Sequence, residues 1–372
     1  MFEQYLSSMP RDETSMRLSH PQRVRAFMND DLDDFAKVLG AEWPVLRQAL
    51  EDPQFCLARA SWLAEEKGLL LFSRFLRASA RTDGATEYGG SAAFLVGLRQ
   101  RTAPGPHFLV DDDLVELLQH TDLAEDVPLS MLKLPYRRMY LELGGHRDLD
   151  LTIANALSGD HILEGAYLEQ ADEFERGPGL YIVLTGSPLG KEHVMDDATQ
   201  AVFLSTAQPD KPLAEALRDA LSQAHATALR DRLNLPPEGT FASVLQALIL
   251  LTKALLYVTL PEARRTTVDE RTQALRLAAR LKNPAKRARA ERRAERLQDC
   301  VLVQAPPTSQ QGPAGSAADA AHLRQLRRGH WRRGHYRMQA HGQAWSQRKL
   351  IFISPTLVGS REAARPADYL VR

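Results

Sequence analysis

A block of basic and aromatic residues near the end of the chain has the residue types needed to bind an anionic ligand. Residues 323–358 read LRQLRRGHWRRGHYRMQAHGQAWSQRKLIFISPTLV and contain eight Arg or Lys, three His and two Trp. Aromatic rings stack on exposed bases while arginine forks hold phosphate oxygens, as in proteins that bind single-stranded RNA. In the alternative interpretation the tryptophans fill a core and the arginines line its rim. We favour the first, and assign nucleic-acid contact to Arg327, Arg328, His330, Trp331, Arg332, Arg333, Tyr336, Arg337, Trp345, Arg348 and Lys349.

A second basic stretch lies in the segment 276–296, which has a helical pattern. Only Glu291 and Glu295 oppose its many cations. Arginine forks suit phosphate oxygens, and each neutralised phosphate adds salt-dependent affinity. A solvated helix face with ordinary Glu–Arg pairs explains the same composition equally well. The candidate phosphate-binding residues of this stretch are Lys286, Arg287, Arg289, Arg292 and Arg293.

The chain has zero net charge, but the charge is divided between its two parts. Residues 1–263 contain 24 Lys or Arg against 39 Asp or Glu, and the remainder contains 23 against 8. Such asymmetry suggests different partners for the two parts, with nucleic acid the common partner of a basic one. The two parts could also attract each other, or the acidic part could cover the basic part until a partner displaces it.

Composition sets outer limits on the class of protein. A chain of 372 residues with 44% hydrophobic and 25% charged residues is ordinary for a globular protein of two or three domains. Its longest apolar helix candidate, 241–260, is interrupted by polar residues and predicts a buried core helix. The first residues lack the pattern of a signal peptide. Two cysteines, Cys56 and Cys300, make no disulfide framework, and we expect a cytoplasmic protein without membrane contact.

The pattern along the chain predicts an α+β fold. It indicates a helical N-terminal part (1–85), a central region with a mostly antiparallel sheet (86–210), a helical region with a basic face (211–304), a flexible linker (305–321) and a basic-aromatic β element (322–372). Within the first part, Asp30 or Asp31 is the expected cap of a helix. Residues 91–98, SAAFLVGL, are expected to form a strand, and residues 211–298 to be helical with a break at Asn283–Pro284.

Motifs for catalysis are missing from the sequence. It contains no Walker-type phosphate loop, GxGxxG, HExxH or GxSxG. The acidic run Asp111–Asp113 could hold Mg²⁺, but carboxylates at a helix start more often cap it. His330, His335 and His341 lack the spacing and the paired cysteines of a zinc site. We therefore expect no cofactor and no metal.

The C-terminal block resembles the signature of a family of phage- and plasmid-encoded proteins that includes a type V-A anti-CRISPR protein. The resemblance lies in RRGHWRRGHY, a turn containing Gly-Gln, and RKLIFISPTLVG, and upstream in VPLSMLKLPYRRMYLEL. Where that family has a second Trp after the His-Trp pair, this chain has His335–Tyr336. The matching positions are Arg327, Arg328, Gly329, His330, Trp331, Gly342, Arg348 and Pro355, and upstream Pro128, Ser130, Leu134, Pro135 and Tyr140.

The resemblance implies a regulator rather than an enzyme. A protein of this kind recognises the N-terminal part of an emerging nuclease polypeptide, and the message under translation is then degraded, with a host nuclease as the degrading enzyme. Its partners would be a nascent polypeptide and RNA or the ribosome. Two alternatives stay open: a direct inhibitor that binds a finished CRISPR effector or another defence protein, and a ribonuclease that uses His330 and His335 as acid and base.

Overall fold

The computed structural model describes residues 19–82, 89–143, 151–155, 159–172, 177–188, 198–230, 240–294, 297–307 and 330–358. Helices come first, a mixed sheet occupies the centre, and the predicted α+β class is confirmed. The N-terminal helices are α1 (His20–Leu39), α2 (Trp43–Glu51), α3 (Ala60–Glu66), α4 (Leu70–Thr82) and α5 (Gly89–Thr102). The later helices are α6 (Asp112–Gln119), α7 (Leu213–Arg230), α8 (Thr240–Thr259), α9 (Glu270–Ala279) and α10 (Pro284–Ala294).

Two expectations for the N-terminal helices are wrong. Helix α1 begins at His20, so Asp30 and Asp31 lie inside it rather than at its start. The start signal is Ser19, whose backbone N–H donates to the Gln22 side chain at 2.8 Å, with a proline in the first turn. Residues 91–98 belong to helix α5 and not to a strand. A short apolar run of this kind fits a strand or a buried helix equally well by periodicity alone.

Seven strands form the central sheet in the order β7-β6-β5-β3-β1-β9-β8, and an eighth, β4, pairs with β5. Among the strand pairs that the structure describes in this sheet, only β1–β3 and β1–β9 are parallel, so the sheet is mostly antiparallel, as predicted. The strands are β1 (His107–Val110), β3 (Arg138–Glu142), β4 (Thr152–Asn155), β5 (Gly159–Ala171), β6 (Gly179–Pro188), β7 (Ala198–Ser205), β8 (Arg264–Val268) and β9 (Cys300–Gln304).

Side-chain alternation along the strands separates two cores on the two faces of this sheet. Tyr140, Tyr167 and Tyr181 face the N-terminal helices. Neighbouring residues such as Leu141 and Leu168 face the core that contains α7 and α8. The sheet therefore lies between two helical layers. Helix α8 is long and apolar enough to cross a membrane by length and composition, but it is mostly buried inside the protein.

The region expected to be helical throughout contains a strand. Residues 264–268 form β8, which pairs antiparallel with β9. The turn after α8 is followed by Thr266, Thr267 and Val268, which are β-branched and favour a strand. The break at Asn283–Pro284 is confirmed, since α9 ends at Ala279 and α10 begins at Pro284. The Asn283 side chain accepts from the backbone N–H of Ala285 at 2.9 Å and of Lys286 at 3.1 Å, which starts α10.

The C-terminal element is a set of short strands that joins the body. Strand β11 (Gly334–His341) lies between β12 (Gln347–Ile353) and β2 (Thr121–Leu123) in a three-stranded sheet. Strand β10 (His330–Arg332) pairs with β13 (Thr356–Val358). Residues 308–321 of the expected linker lie outside the described residues. Strands from the segments 86–210 and 211–304 share the central sheet, and the domain boundaries stay a prediction.

Candidate nucleic-acid interface

The β11–β12 hairpin has one face toward the core and one face away from it. The strands pair antiparallel from His335–Ile353 to His341–Gln347. Because side chains alternate, Tyr336 and Met338 share a face with Phe352 and Leu350. On the opposite face, which we call the outer face, lie His335, Arg337, Gln339 and His341 of β11 with Gln347, Lys349, Ile351 and Ile353 of β12.

Tyr336 lies in the core rather than on the surface expected for base stacking. It has no exposed area, and its hydroxyl donates to the Lys253 carbonyl at 2.6 Å. Its ring centroid lies 5.1 Å from that of Phe352, which in turn lies 5.3 Å from Tyr257. Burial raises the pKa of the Tyr336 hydroxyl well above its usual value. With both ring faces enclosed, this side chain holds the hairpin on α8 and offers no surface to a base.

Cations occupy the outer part of the hairpin. Arg337 and Lys349 are exposed on the outer face. Arg348 is opposite Ala340 on the other face, yet it is also exposed because it lies nearer the tip of the hairpin. Cationic side chains thus flank both faces of the free end, where they could hold successive phosphates of a strand.

Trp345 stands at the tip of the hairpin with 70% of its surface exposed. It ends a short 3₁₀ turn, Gln343–Trp345, in which Ala344 has φ 52° and Trp345 has φ 57°. Positive φ is strained for residues with a side chain, at about 1–3 kcal/mol each, and such strain concentrates at functional sites. The hairpin therefore holds a large apolar ring in solvent, three and four residues before Arg348 and Lys349 in the chain, at a cost in stability. A base stacked on that ring would cover it.

The base of the hairpin is tied to the body by charge and by backbone pairing. Strand β11 pairs parallel with β2, and Arg333 contacts Asp122 of β2 at 2.6 Å. The buried Lys253 ammonium donates to the carbonyl of Leu118 at the end of α6, at 3.2 Å. Burial lowers the pKa of Lys253 to about 8. The positive charge of Arg333 also lowers this pKa, whereas the negative charge of Asp122 raises it. Arg333 is exposed and could reach a phosphate. Because it is paired with Asp122, part of its positive charge is already neutralised.

Helix α10 presents a second cationic surface. Lys286, Arg289 and Arg293 recur at helical spacing with Arg292 beside them, and all four are exposed. Arg287 points about a quarter turn away and donates to the Leu281 carbonyl at 2.9 and 3.2 Å, so it fastens α10 to the preceding turn.

The remaining predicted residues are placed only in part. Arg327 and Arg328 lie outside the described residues. The backbone of His330 and Trp331 forms β10, opposite Val358 and Leu357 of β13. Arg332 is exposed at the end of that strand. The sequence analysis did not identify Asp122 and Lys253, which orient the hairpin. The position of Lys253 inside an otherwise apolar helix could have indicated that its side chain has a specific partner.

Among the described residues, no group of three or more His, Cys, Asp or Glu side chains is placed to hold a metal ion. Asp111 instead caps α6, because its carboxylate accepts from the Leu114 N–H at 2.8 Å. It also accepts from the Ala305 N–H at 3.2 Å, which links α6 to the end of β9. The acidic run therefore has a structural role at its first residue, as its position at a helix start predicts.

A comparison with known protein families identifies the family to which this chain belongs. The AcrVA2-like model, described as the anti-CRISPR type V subtype A2 family, matches residues 108–360. The chain belongs to the AcrVA2-like family. No curated protein and no solved structure matches it. The AcrVA2-like region runs from β1 to just beyond β13, so it includes the central sheet, α6 to α10 and the hairpin, whereas helices α1 to α5 precede it. The resemblance seen in the sequence is confirmed, and the family is one of anti-CRISPR proteins.

Proposed function

We propose that this AcrVA2-like protein is a non-enzymatic regulator encoded by a phage or plasmid that acts in the cytoplasm of the host. It binds a nascent polypeptide together with its messenger RNA or ribosome, and lowers synthesis of that polypeptide. The target is the type V-A CRISPR nuclease or another host protein, and a host nuclease degrades the message.

The RNA-binding part of this proposal rests on the exposed aromatic and cationic side chains of the β11–β12 hairpin. Trp345 offers an exposed ring at the tip, and the exposed cations Arg348, Lys349 and Arg337 lie along the two strands that lead away from it. Single-stranded RNA binds through this combination, with a base on the ring and phosphates on the cations. Helix α10 would extend the contact by holding further phosphates through Lys286, Arg289, Arg292 and Arg293.

The proposal is tested by co-expressing the protein with a type V-A effector and measuring both the effector's messenger RNA and its protein. Two effector genes are compared: one with its natural first codons, and one in which a frameshift over those codons, restored downstream, changes only the N-terminal peptide. We expect both RNA and protein to fall about ten-fold for the natural gene and neither to fall for the frameshifted gene.

Co-expression tests the hypothesis of direct inhibition, and an assay with purified protein tests the hypothesis of a ribonuclease. Stable but inactive effector, with an unchanged message, would show direct inhibition by protein binding and would refute the proposed mechanism. Cleavage of naked RNA by the purified protein, lost in His335→Ala, would show a ribonuclease and refute the non-enzymatic role. Unchanged effector amount and activity would contradict an action on this effector.

A further inference from the structure

Strand β8 is the outermost strand at one end of the central sheet. Among the described parts of the chain its only strand partner is β9. Arg264, Arg265, Thr266 and Thr267 are all exposed, so neither face of this strand is covered by those parts. The outer side of an edge strand presents backbone N–H and C=O groups, which can pair with another extended chain.

The strand behind this edge is firmly held. Strand β9 lies between β8 and β1, and its residue Val303 has no exposed area. The Tyr257 hydroxyl donates to the Gln304 carbonyl at 3.0 Å. On β8 itself, Arg264 donates to the Ala305 carbonyl at 3.3 Å. An incoming strand would therefore join an ordered sheet and would not have to order β8 first.

The charges along this edge have a direction. Arg264 and Arg265 stand at the start of β8, and Asp269 and Glu270 follow its end. Among the described residues, no carboxylate lies within ion-pair distance of either arginine. A strand pairing antiparallel with β8 would be matched in charge if it were basic at its N-terminal end and acidic at its C-terminal end.

We infer that β8 is the binding strand for an extended segment of the target polypeptide, which adds a further strand to the central sheet. The inference rests on the proposed function, because it assigns a place to the polypeptide that the function requires. Backbone pairing supplies affinity at the uncharged centre of β8. Acidic side chains at the C-terminal end of the segment contact Arg264 and Arg265 and set its direction.

Two other occupants are less favourable. A second copy could pair with itself, because RRTTVDE also runs from basic to acidic. Antiparallel pairing of two copies would, however, place helix α9 of each copy, with its exposed cations Arg276 and Arg280, at the end of the strand pair where Arg264 and Arg265 of the other copy lie. RNA would use the arginines but would gain nothing from the backbone edge or the uncharged centre.

The test uses the full-length protein and labelled peptides in a fluorescence anisotropy titration. The probe is Lys-Lys-Thr-Val-Thr-Val-Thr-Glu-Glu, and its control is the same composition with the charged ends exchanged. We expect the probe to bind about ten-fold more tightly than the exchanged peptide. The variant Arg264→Glu/Arg265→Glu should lose that preference, whereas Arg74→Glu/Arg218→Glu, with the same charge change at exposed sites on α4 and α7, should keep it. Equal binding of the two peptides, or no effect of the first variant, would overturn the inference.

Proline variants separate backbone pairing from charge. Of Thr266→Pro and Thr267→Pro, one removes an N–H that points outward and the other an N–H that bonds β9. The variant that keeps the thermal stability of the parent protein should lose probe binding. If both variants keep that stability and also bind the probe, the edge is not the site. A doubled mass in light scattering that falls to one chain in the Arg264→Glu/Arg265→Glu variant would assign the edge to a second copy and overturn the inference.

Failure of this inference is distinguishable from failure of the proposed function. If the N-terminal peptide of the effector binds the parent protein and the Arg264→Glu/Arg265→Glu variant equally, and co-expression still lowers the message, the function stands and the site lies elsewhere. If the probe requires the arginines but co-expression changes neither message nor protein, the site stands and the proposed function falls.

Discussion

At the scale of single residues, the hairpin uses two aromatic side chains in opposite ways. Tyr336 is fully buried and bonded to the Lys253 carbonyl, whereas Trp345 has 70% of its surface exposed on a strained backbone. Burial makes the first a source of stability, and exposure makes the second available to a ligand. Their substitution should therefore separate folding from binding.

We predict that Tyr336→Phe lowers the free energy of unfolding by about 1 kcal/mol, because one buried hydrogen bond to the Lys253 carbonyl is lost. Tyr336→Ala should cost about 3–5 kcal/mol by leaving a cavity. Trp345→Ala should change stability by less than about 0.5 kcal/mol while weakening RNA binding. Urea unfolding and an RNA titration measure the two effects. A large stability loss in Trp345→Ala would contradict the role given to that ring.

His20 predicts a pH dependence of stability. It is buried, with Nδ1 2.9 Å from the Tyr167 hydroxyl, and burial together with Arg23 lowers its pKa to about 3. The unfolded chain takes up a proton near pH 6.5, and the folded chain does so only near pH 3. Stability is therefore retained above pH 6.5 and falls as the pH drops from 6.5 toward 3, by about 1.4 kcal/mol per pH unit.

Urea unfolding at pH 7.5, 6 and 5 checks this dependence. We expect His20 to lower the free energy of unfolding by about 2 kcal/mol at pH 5 relative to pH 7.5. The variant His20→Gln cannot titrate, so its curve should be flatter over the same range by that amount. Parallel curves for the two proteins would show that the residue does not titrate as inferred.

At the scale of elements, helix α10 divides its cations between two roles. Lys286, Arg289 and Arg293 form one exposed face, while Arg287 bonds the Leu281 carbonyl. We predict that each alanine substitution on the exposed face reduces the slope of log affinity against log salt by about 0.7 for single-stranded RNA. The control Arg287→Ala should leave the slope unchanged and lower the melting temperature slightly. Equal slopes for all four variants would exclude this face from RNA contact.

The hairpin and helix α5 illustrate how far sequence reasoning reaches. In HYRMQA the apolar residues alternate with polar ones, so Tyr336 could have been assigned to a buried face by period two alone. LIFI is apolar throughout, so its sequence does not show that Phe352 shares that face. The positive φ at Ala344 and Trp345 has no such signal, because neither residue type favours it. Residues 91–98 were ambiguous for another reason: a buried helix with apolar residues all round has no periodicity to read. The local sequence pattern allows either a helix or a strand at residues 91–98, and packing against the rest of the protein determines that they form a helix.

At the scale of the whole molecule, the helices that precede the AcrVA2-like region are joined to it by a buried ion pair. Arg23 of α1 contacts Glu164 of β5 through two hydrogen bonds of 2.8 and 2.6 Å, and both side chains are largely shielded from water. Tyr167 and His20 meet beside this pair. The layer of N-terminal helices is therefore part of the folded unit and not an appendage.

We predict that Glu164→Gln lowers the free energy of unfolding by about 3–5 kcal/mol, because Arg23 keeps a buried charge without its carboxylate partner. The double variant Arg23→Met/Glu164→Leu should recover most of that loss, since no buried charge is left at either position. Calorimetry should show one transition in the parent protein. A separate early transition for the N-terminal helices would contradict this coupling.

The measurement that tests the account most directly is the level of a type V-A effector's messenger RNA, in cells that express either the parent protein or the variant Trp345→Ala/Arg337→Ala/Lys349→Ala. We predict that the parent protein lowers the message about ten-fold when the natural first codons are translated. The triple variant, folded and equally abundant, should leave the message near its uninhibited level. A message that falls equally with both proteins would show that the hairpin is not the RNA-binding surface, and a message unchanged by the parent protein would contradict the proposed function.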